Sequence, residues 1–546
     1  MTELLYIEGP PGTGKTTTLA KRCKATVAER GPGSVVIASL TRTAAAEIAG
    51  RDTGVPEELV GTLHAHAYRA LEHPDLAETP EHLRTWNAEH PHLELGGGRR
   101  MEDAPDQDLG QAPGDQLHSA VMNRRARLTP REAWTDEERT YDELWTDFKR
   151  QTDTSDFTDL IEQAADEIPV HPAHPEILLL DEAQDFSALE MKLAMRWAAE
   201  CQKAVIVGDP RQALYGWRGS DASTLYEQTV TRRELLRQSH RVPRAVHALA
   251  QSWAGQLQIG AAPYDPTAAA GETFQLECSL REPGGLCDLV EQDLAEDSDA
   301  MLLASCSYML GPLISELRRR AIPFHNPHRV EQGAWNPLRG ARRLLAFLRP
   351  SEDVWGTQAR MWTWEDLRAW TEPLKAAGVL SRGAKTFVAQ KCQPDRFGES
   401  SADRAVPPET LCELLGVRDT TAHPAFRLDV RWWQANLLAS KAAAARYPVE
   451  VCERRGGAAL REEPRVVVGT IHSVKGGEAS RVYVAPDLSK QGYWHGLHAG
   501  GEPREGVIRM GYVALTRARE RVCVLRPSAA EHMGMTAVRE EVRRAA

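Results

Sequence analysis

Glu3-Leu4-Leu5-Tyr6-Ile7-Glu8-Gly9-Pro10-Pro11-Gly12-Thr13-Gly14-Lys15-Thr16-Thr17 opens the chain, and its reading decides the fold class. A short apolar run predicts a buried strand, a glycine-rich turn follows, and 15–29 carry a helical pattern. Strand, tight turn and helix start, in that order, form a phosphate cradle. The backbone from Gly9 through Pro10, Gly12, Thr13 and Gly14 wraps phosphate oxygens, and the helix N-terminus presents N–H groups to them. In this pattern Lys15 reaches the β- and γ-phosphates, Thr16 offers its hydroxyl to Mg2+, and Thr17 joins them in the first helical turn. A plain glycine-rich turn is the bland alternative; the flanking strand and helix argue against it.

Working outward, short apolar runs recur at 34–38, 176–180 and 204–207, with helical patterns such as 43–50 between them. Such runs read as strands buried on both faces of a parallel sheet, so the first region is doubly wound α/β. A second set at 300–304, 465–468, 481–485 and 521–525 predicts a second sheet and a second lobe. Each lobe is interrupted. Residues 72–170 are polar and acidic, with Trp86, Trp134 and Trp145 in helix-like surroundings, while Gly96-Gly97-Gly98 and 102–115 read as loop. Residues 351–445 are rich in Trp and Ala and helical in pattern, including Trp362, Trp364, Trp370, Trp432 and Trp433. The expected division is 1–71 with 171–235 as the first lobe and 72–170 as its insert. The second lobe is then 236–350 with 446–546, and 351–445 its short insert.

At 546 residues the chain exceeds the roughly 250–300 residues that one core supports. It is 42% hydrophobic and 26% charged, and no apolar run reaches the roughly 18–20 residues of a membrane-spanning helix, so no membrane is expected. Met1 to Glu8 runs straight into the phosphate-loop pattern, so no signal peptide is expected. Nine cysteines without a Cys-x-x-Cys pair argue against disulfides, structural zinc or an iron–sulfur cluster, and a cytoplasmic setting is expected. The net charge of −11 weighs against a basic coat protein but allows a local basic groove on an acidic body.

Two further segments carry chemistry. In Ile177-Leu178-Leu179-Leu180-Asp181-Glu182-Ala183-Gln184-Asp185 an apolar strand ends in carboxylates, which puts Asp181 at the carboxyl edge of the sheet beside the phosphate turn. There Asp181 holds Mg2+, directly or through water, and Glu182 polarises the attacking water. Alone, this pattern is as readily a solvated turn; with the phosphate loop it marks a site of nucleotide hydrolysis. Val207-Gly208-Asp209-Pro210-Arg211-Gln212-Ala213-Leu214-Tyr215-Gly216-Trp217-Arg218-Gly219 follows the next strand. It places Gln212 near the γ-phosphate and a cluster of Tyr215, Trp217 and Arg218 on the outer face. Base stacking on Trp217 is worth about 1–3 kcal/mol per base; a Trp packed in a core loop is the alternative.

In order, these segments resemble the motifs of the UvrD/Rep/PcrA family of superfamily 1 helicases, and other stretches extend the likeness. Ser39-Leu40-Thr41-Arg42-Thr43-Ala44-Ala45-Ala46-Glu47-Ile48 looks like a family segment that touches the DNA backbone, with Thr41 and Arg42 in the contact positions. Gly61-Thr62-Leu63-His64 is similar to a second DNA-contacting segment, which implicates Thr62 and His64; a zinc pair of His64 with His66 has no further ligands nearby. Leu236-Arg237-Gln238-Ser239-His240-Arg241 resembles a Gln-Asn-Tyr-Arg motif, so Arg241 reaches the γ-phosphate and His240 stands where an aromatic stacks on adenine. In 468–478 the resemblance turns Thr470 and His472 toward DNA and Glu478 toward the nucleotide ribose. Tyr512-Val513-Ala514-Leu515-Thr516-Arg517-Ala518 matches the last motif and makes Arg517 the second arginine finger.

The resemblance implies two RecA-like parallel-sheet lobes of the P-loop NTPase class, each with a mainly helical insert. ATP and Mg2+ are the implied cofactors. Single-stranded DNA and its junctions with duplex are the implied partners, for an enzyme that moves 3′→5′ as a monomer or weak oligomer, with a partner subunit possible. In that scheme Arg241 and Arg517 close over the γ-phosphoryl, and alternate closing and release move the lobes along the strand. The sequence departs from the family pattern at several points. Only eight residues precede Gly9, so the upstream glutamine segment that reads adenine in the family is expected to be missing or displaced, and Leu40 stands where a DNA-facing Phe is usual. About twenty residues follow the last apolar run, so no appended nuclease is expected. An RNA or mixed-substrate motor and a catalytically idle DNA-binding subunit are the alternatives; Lys15, Glu182, Gln212, Arg241 and Arg517 argue against idleness.

Overall fold

The computed structural model describes residues 2–40, 45, 48–51, 53–96, 112–220, 222–329, 333, 335–352, 361–393, 402–418 and 423–537. Among them, apolar runs pair into two parallel sheets of six strands. The first comprises β1 (Glu3–Glu8), β2 (Val35–Ser39), β3 (Val60–Thr62), β4 (Ile177–Asp181), β5 (Lys203–Gly208) and β6 (Arg232–Leu235). Their order is β3-β2-β4-β5-β1-β6, with every pairing parallel. The second comprises β7 (Glu272–Gln275), β8 (Ala300–Ala304), β9 (Phe324–His325), β10 (Val466–Thr470), β11 (Ala479–Val484) and β12 (Ala518–Val524), in the order β7-β12-β11-β8-β10-β9. The α/β class and both sheets are those the apolar runs predict.

The four strands that the runs did not predict, β3, β6, β7 and β9, are the edges of the two sheets. Edge strands are covered less on their faces, so they need no continuous apolar sequence. Interior strands do: all of β2 is buried, and one face of the first sheet aligns Leu5, Ile7, Val35, Ile37, Leu179, Val205 and Val207. The helix Lys15–Arg30 covers that face with Leu19 and Cys23, four residues apart and thus on one helical side. Each such buried aliphatic contributes about 1.5–3 kcal/mol. The core therefore fixes the helix whose first turn completes the phosphate loop.

The chain divides into two compact units. One is Met1–Ser279 with Leu303–Met309 and Thr470–Ala546; the other is Leu280–Leu302 with Leu310–Gly469. In the first unit, the helices Pro80–Glu89, Asp115–Ala126, Asp136–Thr152 and Phe157–Glu167 have their own aromatic centre. Trp86 and Trp145 meet edge to face with ring centres 5.0 Å apart, beside Tyr141 and Phe148. Beneath them the fully buried Asp156 carboxylate accepts from Lys149 at 2.6 Å, Arg125 at 2.9 Å and Trp145 Nε1 at 3.0 Å. Each charge in that cluster is paired, as burial requires.

In the second unit Phe347 stacks with Trp362, Trp432 and Trp433, and two indole N–H groups are spent on backbone. Trp362 Nε1 donates to the Phe347 carbonyl at 2.9 Å and Trp433 Nε1 to that of Trp370 at 3.0 Å. Trp362, Trp370 and Trp433 are core, and Trp432 is half-buried at its edge. No described helix is long and apolar enough to cross a membrane.

Candidate active site

Gly12 and Gly14 both adopt positive φ, 71° and 79°, a region L-residues reach only with strain, and this bends the chain out of β1 into the helix Lys15–Arg30. Gly14 caps that helix without a side-chain hydrogen bond, so the helix N-terminus opens onto the loop. Pro10 turns its carbonyl inward to accept from Thr13 Oγ1 at 2.8 Å. Lys15 Nζ reaches back across the loop to the Gly9 carbonyl at 2.9 Å and faces Glu182 at 3.8 Å. Thr16 is half-buried beside it, whereas Thr17 is exposed and accepts from Arg51 Nη1 at 3.0 Å.

Asp181 ends β4, buried, and Glu182 follows with φ of 52°, a left-handed conformation unusual for a glutamate. Such strain costs about 1–3 kcal/mol and persists where surrounding contacts over-determine it. Those contacts are cations and an amide. Lys15 lies 3.8 Å from one Glu182 oxygen, Lys475 lies 3.6 Å from the other, and Gln184 Nε2 donates to it at 2.5 Å. Burial opposes the charge on Glu182, yet Lys15 and Lys475 outweigh it and hold the carboxyl well below the usual range. Glu182 is thus an ionised, fixed acceptor. Lys475 also pairs with buried Asp185, donates to the Gln212 carbonyl at 3.0 Å and lies 5.4 Å over the Tyr215 ring.

Gln212 joins the acidic strand end to an arginine. Its Nε2 donates to Asp209 at 2.7 Å, and its Oε1 accepts from Arg517 Nη2 at 3.2 Å. Arg517 is buried, with Nε on the Val513 carbonyl at 3.0 Å and Nη1 on that of Gly477 at 3.2 Å. Burial, then the neighbouring charge of Arg241, pushes its guanidinium below the ordinary arginine value. Arg241 itself is held by Glu478, 2.6 Å from its Nε. The segment carrying Arg241 is pinned to the phosphate loop: His240 N donates to the Gly12 carbonyl at 2.8 Å and Ser239 Oγ to that of Pro11 at 2.8 Å. A Cβ on Gly12 would stand 2.4 Å from Arg241 Cβ, so the close approach requires glycine. His240 is exposed. Lys15, Glu182, Gln212, Arg241 and Arg517 all lie in the first unit.

The profile of the UvrD/REP helicase N-terminal domain matches residues 1–231, the stretch that holds the phosphate loop, Glu182 and Gln212. Residues 1–231 thus match the N-terminal domain pattern of UvrD/REP helicases. The chain is also similar to DNA helicase II of Escherichia coli (strain K12), 24% identical across 56% of this chain and 46% of that protein. The DNA helicase II of Salmonella typhimurium is equally similar, 24% identical across 55% of this chain and 45% of the relative. The match thus spans about half the length of either relative.

Several residues expected at the DNA are engaged by the protein itself. The Thr62 hydroxyl caps the helix Leu63–Ala70 by accepting from Ala65 N at 3.1 Å. His64 Nδ1 lies 3.3 Å from Glu190, and burial lowers its pKa despite that carboxylate. Thr470 is buried and accepts from Ser473 N at 3.3 Å. Tyr215 is buried, with Arg218 5.8 Å over its ring and His472 6.5 Å away. Trp217 is half-buried rather than standing out from the surface. Thr41 and Arg42 lie outside the described residues.

Three residues outside the expected set stand at the site. Lys475 and Asp185 fall inside quoted motifs, but their role depends on a contact across 290 positions of sequence, which spacing does not reveal. Ser239 looks like a filler before His240, yet it accepts from both Arg241 N at 3.3 Å and Val242 N at 3.1 Å while bonding the loop. A small hydroxyl beside the arginine was the available signal.

Proposed function

We propose that this chain is an ATP-driven motor that moves along single-stranded DNA and opens duplex at its junctions, travelling 3′→5′. The observation that carries the reading is a linked set of side chains beginning at the phosphate loop: Lys15 faces Glu182, Lys475 joins Glu182 to Gln212, and Gln212 holds Arg517. In that arrangement Lys15 neutralises β/γ-phosphate oxygens, and ionised Glu182 orients the attacking water and accepts its proton. Gln212 sets Arg517 toward the γ-phosphoryl, where Arg517 and Arg241 stabilise charge that develops in the transition state. His240 offers an exposed ring for the base, and Glu478, freed from Arg241, meets the ribose.

Mg2+ fits the donors available. Thr16 and Asp181 provide hydroxyl and carboxylate oxygens, the hard ligands that ion takes alongside nucleotide phosphates. Bound there, Mg2+ would offset phosphate charge.

DNA as the track rests on the names of the relatives and on Trp217, Arg218 and His472, which gather around Tyr215, itself beneath Lys475. The four-part division at 71/72, 170/171, 235/236, 350/351 and 445/446 is part of the same proposal. Unwinding assays test it. With ATP and Mg2+ the protein should open duplexes with a 3′ single-stranded DNA tail and leave 5′-tailed ones closed. Preference for 5′ tails would overturn the polarity, and equal action on RNA tails would make the motor a mixed-substrate one.

A further inference from the structure

The turn that holds Tyr215, Trp217 and Arg218 is tied to the protein at several points, and one tie comes from the helical insert. At its near end Leu214 N donates to Asp185 at 3.2 Å, and at its far end Ser220 bridges Ser187. Between them, two main-chain carbonyls point at the end of the helix Asp115–Ala126. Asn123 Nδ2 donates to the Trp217 carbonyl at 2.7 Å and to the Gly216 carbonyl at 3.3 Å. Arg127 Nη2 donates to the same Gly216 carbonyl at 2.8 Å. The approach is close enough that a Cβ on Gly219, whose φ is 89°, would stand 2.7 Å from Ala126 Cβ. A glycine there lets the turn lie directly on the helix.

We propose that Asn123 and Arg127 are positioning residues which hold the 215–219 turn in the shape that couples single-stranded DNA to hydrolysis. Both carbonyls they grip belong to the short segment that carries Trp217, so they set its backbone without touching the nucleotide. The same turn is coupled on its other side to chemistry: Lys475 lies over the Tyr215 ring and 3.6 Å from Glu182. A strand that shifts this turn therefore moves Lys475 against the catalytic carboxylate, and the insert is the fixed body against which the turn works. This rests on the motor reading above.

The test is steady-state ATP hydrolysis by the full chain, titrated with single-stranded DNA, for wild type, Asn123→Ala, Arg127→Ala and Arg127→Lys. Both alanine variants should keep basal hydrolysis within about twofold. Each should raise the DNA concentration for half-maximal stimulation about tenfold, the scale of the one or two hydrogen bonds that each side chain makes to the turn. Arg127→Lys retains a donor and should recover most of the loss. Gly219→Ala approaches the same contact from the turn and should match the alanine variants. Basal and stimulated rates falling in proportion would mean a merely structural role, and unaltered DNA titrations would remove any role; either overturns the inference while a stimulated wild type leaves the motor reading standing. A wild type that no nucleic acid stimulates overturns the motor reading and this inference with it.

Discussion

Arg517 donates to the side-chain oxygen of Gln212 at 3.2 Å, while Gln212 gives its amide to Asp209 at 2.7 Å. The glutamine is thereby fixed at both ends, and the arginine cannot move without turning it. Arg517→Ala should lower the rate of ATP hydrolysis by about 10³-fold or more, the range of an arginine finger, with nucleotide binding nearly intact. Fluorescent-nucleotide titration beside turnover separates the two. Loss of binding alone would remove Arg517 from the transition state.

Lys475 is a half-buried cation shared by the buried Asp185 and by Glu182. Removing one partner of a buried pair costs about 3–5 kcal/mol because the other charge is stranded. Lys475→Ala should lose stability on that scale in denaturant unfolding, and Lys475→Ala with Asp185→Asn should regain much of it. An additive double variant would mean the pair is not coupled.

Gly12→Ala places a Cβ against Arg241 and forces a positive φ on alanine. Strain of about 1–2 kcal/mol, together with displacement of the 239–241 segment, should lower the melting temperature and weaken nucleotide binding. Gly33→Ala, where a Cβ meets nothing within 4 Å, is the control.

Glu78 is pushed up to about 8 by burial and then by the charge of Asp156. Its folded value lies above the ordinary 4.5, so the native state holds a proton that the unfolded chain releases. Stability contributed by this group is therefore full below about 4.5 and is lost as pH rises toward 8. Glu78→Gln, which keeps the acceptor for Phe157 N, should melt close to wild type at pH 5 and above it at pH 8. Parallel curves would place Glu78 in water.

Much of this was legible in the sequence because the interior strands must be continuously apolar and the phosphate loop must follow one of them. The edge strands β3, β6, β7 and β9 carried no such demand, so they surfaced only through pairing. Among site residues, Lys15, Glu182, Gln212 and Arg517 were readable from local pattern and resemblance, and Lys475 links them. Local pattern missed Lys475, whose two carboxylate partners are nearly three hundred positions away, and Ser239, whose hydroxyl ties the arginine segment to Pro11. Pattern also overstated exposure: Thr62 and Thr470 spend their hydroxyls on nearby backbone N–H groups, and Tyr215 is buried between cations. Hydroxyl capping and burial are settled by packing, which motif spacing does not encode.

The most direct test of the account is steady-state ATP hydrolysis with and without single-stranded DNA, for wild type and Glu182→Gln. The account predicts strong stimulation of the wild type by single-stranded DNA, weaker stimulation by single-stranded RNA and duplex DNA, and turnover abolished in Glu182→Gln. Hydrolysis indifferent to every nucleic acid, or turnover that survives Glu182→Gln, would contradict it.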